Sequence, residues 1–231
     1  MQLTAPDVAR LFGVSESTVA RWVEDENLPA REVNAQYRFD RAELLEWATV
    51  RRKRFSPSIF QEVNGDRVAE LHLADAMEAG GITSDVKGSS KQDVYRMVLD
   101  GLTLPEQVDG DSLVAMLLAR ERSGSTAVGN GIAVPHPRYP MVLGVSRPLV
   151  RLCYLEEPLD FSGSDGKLVD TLFVMICPTV HDHLQLLARL ASLLTSDSFR
   201  ALLARRAGQE EILRAVRREE EAVVSDSPGS D

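Results

Sequence analysis

Residues 129–136 read GNGIAVPH and are the most informative stretch of the chain. The two glycines permit a tight turn whose backbone N–H groups can face an anion. The four apolar residues that follow have the composition of a short buried strand, and Pro135 stiffens the chain just before His136. Because sites in α/β sheets are built where strands end, His136 is a candidate functional residue. A lone histidine is more often structural than catalytic, so both roles stay open from this octapeptide alone.

Helices and strands are predicted on both sides of the octapeptide. Apolar residues three and four positions apart predict helices, and β-branched-rich runs bounded by turn residues predict buried strands. Strands embedded among helices indicate an α/β domain with a mixed β-sheet covered by helices. The predicted strands are Gly131–Val134, Leu149–Tyr154 and Leu172–Cys177, and the predicted helices are Leu73–Gly81, Lys91–Leu102, Ser112–Arg122, His183–Leu194, Ser198–Ala204 and Glu210–Val216.

The first 50 residues have a different pattern. Two short helices separated by a turn at Gly13 are predicted first, and this is the layout of a helix-turn-helix. Alternating residues then predict a β-hairpin around Asn34-Ala35, which is a candidate wing, and a third helix follows it. The predicted helix caps are Thr4, Ser15 and Asp40, and the predicted hairpin strands are residues 31–33 and 36–39.

The composition is that of a soluble globular protein. The chain has 231 residues, of which 44% are hydrophobic and 26% are charged, so it can bury a substantial core. No apolar run approaches the roughly eighteen residues that cross a bilayer, and the N-terminus lacks a secretory signal, so we expect a cytoplasmic protein without membrane insertion. Cys153 and Cys177 have no CxxC spacing, which favours free buried thiols over a disulfide or a metal site.

Charge is unevenly distributed along the chain. Residues 1–58 hold nine basic and nine acidic residues, which leaves 17 basic and 26 acidic residues and the whole net charge of −9 to the rest. A net charge of −9 argues against a surface that binds nucleic acid everywhere. A basic run and Pro57 mark a domain boundary, and a polar C-terminus marks a tail. The expected segments are a DNA-binding domain at 1–54, a linker at 55–66, an α/β domain at 67–217 and a disordered acidic tail at 218–231.

Two stretches, STAVGNGIAVPHPR (residues 125–138) and PLDFSGSDGKLVDTLFVMICPTVHDHLQLLARLASLL (residues 158–194), resemble the IIA domain of bacterial phosphotransferase systems of the fructose, mannitol and nitrogen type. The resemblance covers about residues 71–216. It implies that His136 receives a phosphoryl group from phosphorylated HPr, and that Arg120 and His183 assist. It also implies a phosphate-cradling turn and chemistry that requires no metal or cofactor. The residues of that turn are Gly129, Asn130 and Gly131.

The residue types fit that chemistry. A neutral imidazole nitrogen is a nucleophile, and phosphoryl transfer needs in-line positioning and charge compensation. Arg120 would offer a planar guanidinium fork to phosphoryl oxygens, and His183 would donate a hydrogen bond. Without the resemblance, Arg120 is better interpreted as a solvated charge. His183 would then be a core histidine, because it shares a helical face with three leucines, namely Leu187, Leu190 and Leu194.

Residues 1–50 resemble the small winged helix-turn-helix domains of the excisionase and MerR-like kind. The chain departs from that pattern in the acids Glu24–Glu26 and in Asn34-Ala35, where the family usually has glycines. The alternative is a trihelical unit that docks a protein. The resemblance implies a recognition helix with Ser15, Ser17, Thr18 and Arg21, a wing with Arg38, and phosphate contacts from Arg51, Arg52, Lys53 and Arg54.

The two resemblances together predict a transcriptional regulator that senses the phosphorylation state of the phosphotransferase system and binds duplex DNA. One alternative is a IIA phosphocarrier that passes phosphate to a sugar-specific IIB and whose first domain docks a protein partner. Another is a sensor that regulates a kinase or a transporter. In each case the chain is a phosphohistidine carrier rather than a stand-alone enzyme. Whether two copies form a homodimer is left open.

Overall fold

The chain divides into two compact units, residues 1–69 and 70–231. The predicted linker at 55–66, the hairpin turn Asn34-Ala35, Arg52, Arg54 and residues 226–231 of the predicted tail lie outside the residues that the structure describes. The described residues of this computed structural model are 2–33, 36–40, 43–44, 47–48, 51, 53, 71–106, 108–138 and 145–225.

The first unit has the predicted helix-turn-helix and hairpin. The cap assignments are confirmed: the Thr4 hydroxyl accepts the Asp7 N–H in a capping box, and the Ser15 hydroxyl accepts the Thr18 N–H. Gly13 separates the helices at a left-handed φ of 63°, which glycine adopts at little cost. The elements are β1 (Gln2–Thr4), α1 (Ala5–Phe12), α2 (Glu16–Asp25), β2 (Arg31–Val33) and β3 (Gln36–Asp40), with the strands antiparallel in the order β1-β3-β2.

Aromatic side chains hold the first unit together. The rings of Phe12 and Trp22 meet edge to face at 5.4 Å, and Trp47 lies 5.2 Å from Trp22. Residues 43–44 and 47–48 are helical, and the Asp40 carboxylate accepts the Glu43 N–H as the predicted cap. The third helix therefore closes the core through Trp47. Strand β1 is absent from the sequence prediction, because only its pairing with β3 makes Gln2–Thr4 extended.

The second unit is the predicted mixed sheet covered by helices. The strand order is β4-β7-β8-β6-β5, in which β4 is parallel to β7, β8 is parallel to β6, and the other two pairings are antiparallel. The elements are α3 (Leu73–Gly80), β4 (Ile82–Val86), α4 (Lys91–Asp100), α5 (Gly110–Arg122), β5 (Ala127–Gly129), β6 (Ile132–Ala133), β7 (Leu149–Leu159), β8 (Val169–Ile176), α6 (Val180–Leu193), α7 (Asp197–Ala204) and α8 (Gln209–Ser225).

Both faces of β8, and of β7 from Leu149 to Leu155, are largely buried, which explains the continuous apolar runs of these two central strands. Cys153 and Val174 face a core that includes residues of α4 and α5. On the other face, Gly80 at the end of α3 lies so close to the Val150 carbonyl that a Cβ would be 2.4 Å from it. As predicted, Cys153 and Cys177 are free and buried, and burial raises the pKa of Cys153 to about 12.

The C-terminal helix corrects the sequence prediction. Residues 218–225 were expected to begin a disordered acidic tail, but α8 continues to Ser225. The reason is tertiary: the Glu220 carboxylate accepts the N–H groups of Leu73 and Ala74 at the start of α3 and pairs with Arg189. Because the N-cap His72 makes no side-chain cap bond, Glu220 supplies the acceptor that this helix start needs.

Candidate functional site

The structure brings His136, Arg120 and His183 together. His136 lies just after β6, Arg120 in the last turn of α5 and His183 in the first turn of α6, and their exposed fractions are 3%, 8% and 4%. The Arg120 Nε–H donates to His136 Nε2 at 3.1 Å. The two imidazole rings are 4.6 Å apart between centroids and tilted by 45°. Three polar residues from separate elements thus form one buried cluster.

The hydrogen bonds of His136 define which ring nitrogen carries the proton. Nδ1 is 2.8 Å from the carbonyl oxygen of Val134, which can only accept, so Nδ1 is the protonated atom. Nε2 contacts a guanidinium, which can only donate, so Nε2 carries the lone pair. The neutral ring is therefore held in the Nδ1–H tautomer. Its nucleophilic atom is Nε2, directed at Arg120.

Local backbone contacts fix this arrangement. The Pro135 carbonyl accepts the Met175 N–H from β8, and the Val134 N–H donates to the Thr126 carbonyl. A second donor of Arg120, Nη1–H, is bound by the Gly124 carbonyl at 2.8 Å. The Thr179 hydroxyl caps α6 and sets where its first turn begins. His136 is thus attached to β8, to the residue that precedes β5 and to the end of α5.

A second charged residue, Glu121, lies beside Arg120 and is also buried. Its carboxylate accepts the N–H and the hydroxyl of Thr126 and pairs with Lys91 at 3.1 Å. Burial raises the pKa of Tyr95, whose ionisation is also opposed by Glu121 and favoured by Arg120. Tyr95 is fully buried, so Arg120 and Glu121 lie near a water-poor part of the core, where electrostatic interactions are strong.

Sequence reasoning missed Glu121, although a signal for it was present. The buried residues of α5 are Leu113, Val114, Leu117, Arg120 and Glu121. They follow the spacing of one helical face, so extending the apolar stripe by one turn places both charged residues inside. Charged residues are rarely buried unless they are paired, and this position therefore predicts partners.

The glycine turn between β5 and β6 is left-handed at three consecutive residues. The φ angles of Gly129, Asn130 and Gly131 are 86°, 57° and 75°. The Asn130 N–H was predicted to donate a hydrogen bond to phosphate. It instead donates to the Asp165 carboxylate at 2.9 Å. The backbone N–H groups of Asn130 and Lys167 hold the pKa of Asp165 below its usual value. An anion would have to displace this carboxylate, which weighs against a cradling role for Asn130.

On α2, the predicted recognition helix, the residues expected to contact DNA are exposed or half-buried. The Ser15 hydroxyl contacts the hydroxyls of Ser17 and Thr18 at 2.8 and 2.9 Å. Ser15 is therefore occupied as the cap of α2, whereas Arg21 is exposed one turn further along. Of these four residues, Arg21 presents a positive charge to solvent.

The wing carries two arginines rather than the one that the sequence singled out. Arg31 on β2 lies directly opposite Arg38 on β3, so both side chains share the face that points away from buried Phe39. The Arg38 guanidinium donates to the Gln36 side chain and to the Tyr37 carbonyl. Like charges directly opposite each other destabilise a sheet, and an anion bound between them would relieve that repulsion.

In the basic run after the third helix, Arg51 and Lys53 make contacts within the first unit. Lys53 pairs with Glu26 at 3.0 Å and lies 4.8 Å above the Trp22 ring. Arg51 contacts the same carboxylate at 3.5 Å and lies over Trp47. Lys53 can reach a DNA phosphate only if this pair breaks, which weighs against the predicted phosphate role. The pairing also offsets one of the acids at the end of α2.

The described part of the chain offers neither a metal-binding cluster nor a membrane-spanning helix. Among those residues, no group of three or more histidine, cysteine, aspartate or glutamate side chains is placed to hold a metal ion. None of the described helices is both long enough and apolar enough to cross a membrane.

Known proteins match both units. The family described as the phosphoenolpyruvate-dependent sugar phosphotransferase system, EIIA 2, matches residues 76–219, and a helix-turn-helix domain family matches residues 3–52. The chain is 37% identical over 128 residues to the nitrogen regulatory protein of Pseudomonas aeruginosa, covering 54% of this chain and 80% of that protein. It is 32% identical over 168 residues to the nitrogen regulatory protein of Escherichia coli, covering 69% and 93%.

A solved structure agrees with these matches. The crystal structure of the nitrogen regulatory protein IIA-Ntr from Neisseria meningitidis superposes with a TM-score of 0.55 at 27% identity, over 62% of this chain and 98% of that one. The EIIA 2 family match falls within the unit that contains His136. The chain therefore belongs to the EIIA type 2 family of the phosphoenolpyruvate-dependent sugar phosphotransferase system and carries a helix-turn-helix domain ahead of the EIIA domain.

Proposed function

We propose that this protein is a regulator linked to the phosphotransferase system. Its EIIA domain accepts a phosphoryl group from phosphorylated HPr on His136, and the phosphorylation state changes DNA binding by the helix-turn-helix unit. The observation that carries the proposal is the buried His136 ring, held with Nε2 against Arg120. The matched relatives are named nitrogen regulatory proteins, which supports a regulatory role.

The geometry supports a direct transfer between two histidines. The Arg120 Nε–H first gives up its hydrogen bond to Nε2 of His136. The freed Nε2 lone pair attacks the phosphorus, the Nε2–P bond forms, and the bond between phosphorus and the donor histidine breaks, leaving its electron pair on the donor nitrogen. The Nδ1–H of His136 keeps its bond to the Val134 carbonyl throughout. The Arg120 N–H that pointed at Nε2 is then placed to donate to a phosphoryl oxygen.

His183 completes the polar surroundings in this proposal. Its ring lies against that of His136, so an N–H of His183 can donate to the transferred group as negative charge develops on its oxygens. Such preorganised donors stabilise phosphoryl transfer without forming a covalent bond themselves. Arg120 and His183 therefore assist, and His136 alone carries the phosphate.

The first unit is proposed to bind duplex DNA through α2 and the outer face of the wing. Arg21, Arg31 and Arg38 are the described cations that support this interface. We expect Arg21→Ala and Arg38→Ala each to weaken binding of the full chain to duplex DNA. Each lost phosphate contact should reduce the slope of log affinity against log salt by about 0.9. Fluorescence anisotropy with labelled duplexes at several salt concentrations measures both quantities.

Arg214→Ala is the matched control, since it removes the same charge from an exposed arginine of the second unit, where it pairs with Glu210. The control should leave affinity and slope unchanged. If the parent protein fails to bind a broad pool of duplexes even at low salt, DNA binding is excluded. The alternative, a phosphocarrier that serves a IIB component and has a protein-docking first unit, would then be preferred.

The regulatory link predicts that DNA affinity depends on phosphate at His136. A phosphoryl group adds nearly two negative charges at neutral pH, and coupling between two sites in a protein is typically about five- to 150-fold in affinity. We therefore expect the phosphorylated and unmodified chains to differ at least about fivefold in affinity for the same duplex. The His136→Ala chain should behave as the unmodified chain under phosphorylating conditions. Equal affinities in all three would mean that the units are tethered but uncoupled.

A further inference from the structure

Glu121 is a buried carboxylate at the site to which the proposed transfer gives no part. It follows Arg120 in the last turn of α5 and is 8% exposed. One carboxylate oxygen accepts both the N–H of Thr126, at 3.1 Å, and its hydroxyl, at 2.5 Å. The other oxygen pairs with the Lys91 ammonium at 3.1 Å. Glu121 thus fastens the end of α5 to the residue that precedes β5.

Two hydrogen bonds connect that anchor point to the His136 ring. The Thr126 carbonyl accepts the Val134 N–H at 3.0 Å. The carbonyl of the same Val134 receives the Nδ1–H of His136 at 2.8 Å. The position of Thr126 therefore sets the position of Val134, and the Val134 carbonyl determines which nitrogen of His136 carries the proton.

The other contact of the ring depends on the same segment. Arg120, which donates to Nε2, is itself held by the Gly124 carbonyl at 2.8 Å. Gly124 lies in the short turn between α5 and Thr126, and the Glu121 side chain spans that turn. Both hydrogen bonds that orient the imidazole thus rest on backbone that Glu121 anchors at Thr126.

We propose that Glu121 is a positioning residue, which anchors Thr126 and thereby holds His136 in the Nδ1–H tautomer with Nε2 presented to the phosphoryl donor. The consequence for transfer rests on the proposed function, whereas the consequence for the tautomer does not. Lys91 orients the buried carboxylate from the side away from Thr126 and supplies the opposite charge there, so the carboxylate is paired.

The test compares Glu121→Ala with the parent protein in two measurements on the full chain. Proton–nitrogen correlation spectra of the histidine rings give the tautomer of His136 when the ring is neutral. Transfer from HPr that enzyme I and phosphoenolpyruvate have phosphorylated gives the rate. We expect the variant to populate the Nε2–H form and to transfer about ten- to a hundredfold more slowly, because a misplacement of about 1 Å can cost a hundredfold.

Glu220→Ala is the matched control. Glu220 also accepts two backbone N–H groups and pairs with a cation, but its partners lie at the start of α3 and in the middle of α6. This variant should lose stability while keeping the parent tautomer and rate. Glu121→Gln, which retains an acceptor oxygen for Thr126, should recover most of both properties. Should Glu121→Ala fail to fold, Thr126→Val removes only the hydroxyl donor and should shift the tautomer in the same direction.

Two results would overturn the inference. One is a Glu121→Ala or Thr126→Val protein with the tautomer and rate of Glu220→Ala at equal folded fraction. The other is a Glu121→Gln protein as impaired as the alanine variant. A parent protein that accepts no phosphate refutes the proposed function instead, and in that case the ring spectra still decide the role of Glu121.

Discussion

In a His136→Ala protein incubated with phosphoenolpyruvate, enzyme I and HPr, we expect no acid-labile phosphate on the chain. The parent protein should acquire one such group, mapped to His136 by mass spectrometry under alkaline conditions. The physical reason is that Nε2 of His136 is the imidazole nitrogen that the structure holds with its lone pair against a buried guanidinium. Removing the ring removes the nucleophile, so the expected effect is complete loss rather than slowing.

Two other histidines serve as controls for this prediction. His72 occupies the N-cap position of α3, but its side chain makes no capping hydrogen bond. The His181 ring contacts Gln185 at 2.9 Å. His72→Ala and His181→Ala should both be labelled to the parent level. Normal labelling of His136→Ala, or a phosphate that maps to His183, would refute the assignment of the acceptor.

The second large effect is expected for Arg120→Lys. Lysine keeps the positive charge but cannot donate to Nε2 of His136 and to the Gly124 carbonyl from one rigid fork. Loss of one preorganised donor to a developing anion costs about a hundredfold or more in rate. We therefore expect phosphoryl transfer to slow by about a hundredfold with the fold intact. Quenched-flow transfer from phosphorylated HPr gives the rate, and circular dichroism checks the fold.

Arg151→Lys is the matched control for that variant. Arg151 is a half-buried arginine of β7 that likewise donates to carbonyls, those of Gly80 and Gly101. Its replacement should reduce stability and leave the transfer rate close to that of the parent. His183→Ala tests the second assisting group and should slow transfer without abolishing labelling. Parent rates in both Arg120→Lys and His183→Ala would show that neither residue assists.

Local sequence determined the elements of this protein whose signals lie within a few residues. The caps at Thr4 and Ser15 bind N–H groups three positions away, so a hydroxyl at the right spacing suffices to predict them. The central strands are buried on both faces, and their apolar runs predict them without knowledge of their neighbours. The sequence also predicted the mixed sheet covered by helices and the helix-turn-helix that precedes it.

Other features depend on partners far along the chain. Strand β4 was not predicted, because ITSDV at residues 82–86 lacks an apolar run and becomes extended only by pairing with β7. The end of α8 was misplaced, because the contacts of Glu220 with α3 join residues 147 and 146 positions apart. A glutamate triplet viewed locally is a solvated tail. The buried N–H groups at the start of α3 need an acceptor, and Glu220 of this triplet provides it.

The candidate site also combines features that the sequence predicts with features that only the fold decides. The motif and the family resemblance predicted His136, Arg120 and His183, but the sequence does not show which ring nitrogen of His136 is protonated. That property follows from Val134 on one side of the ring and Arg120 on the other. Hydrogen bonds are directional and short-ranged, so a proton's position is set by the partners that folding delivers to each atom. Residue identity is local information, whereas the state of a buried residue is decided by its neighbours in space.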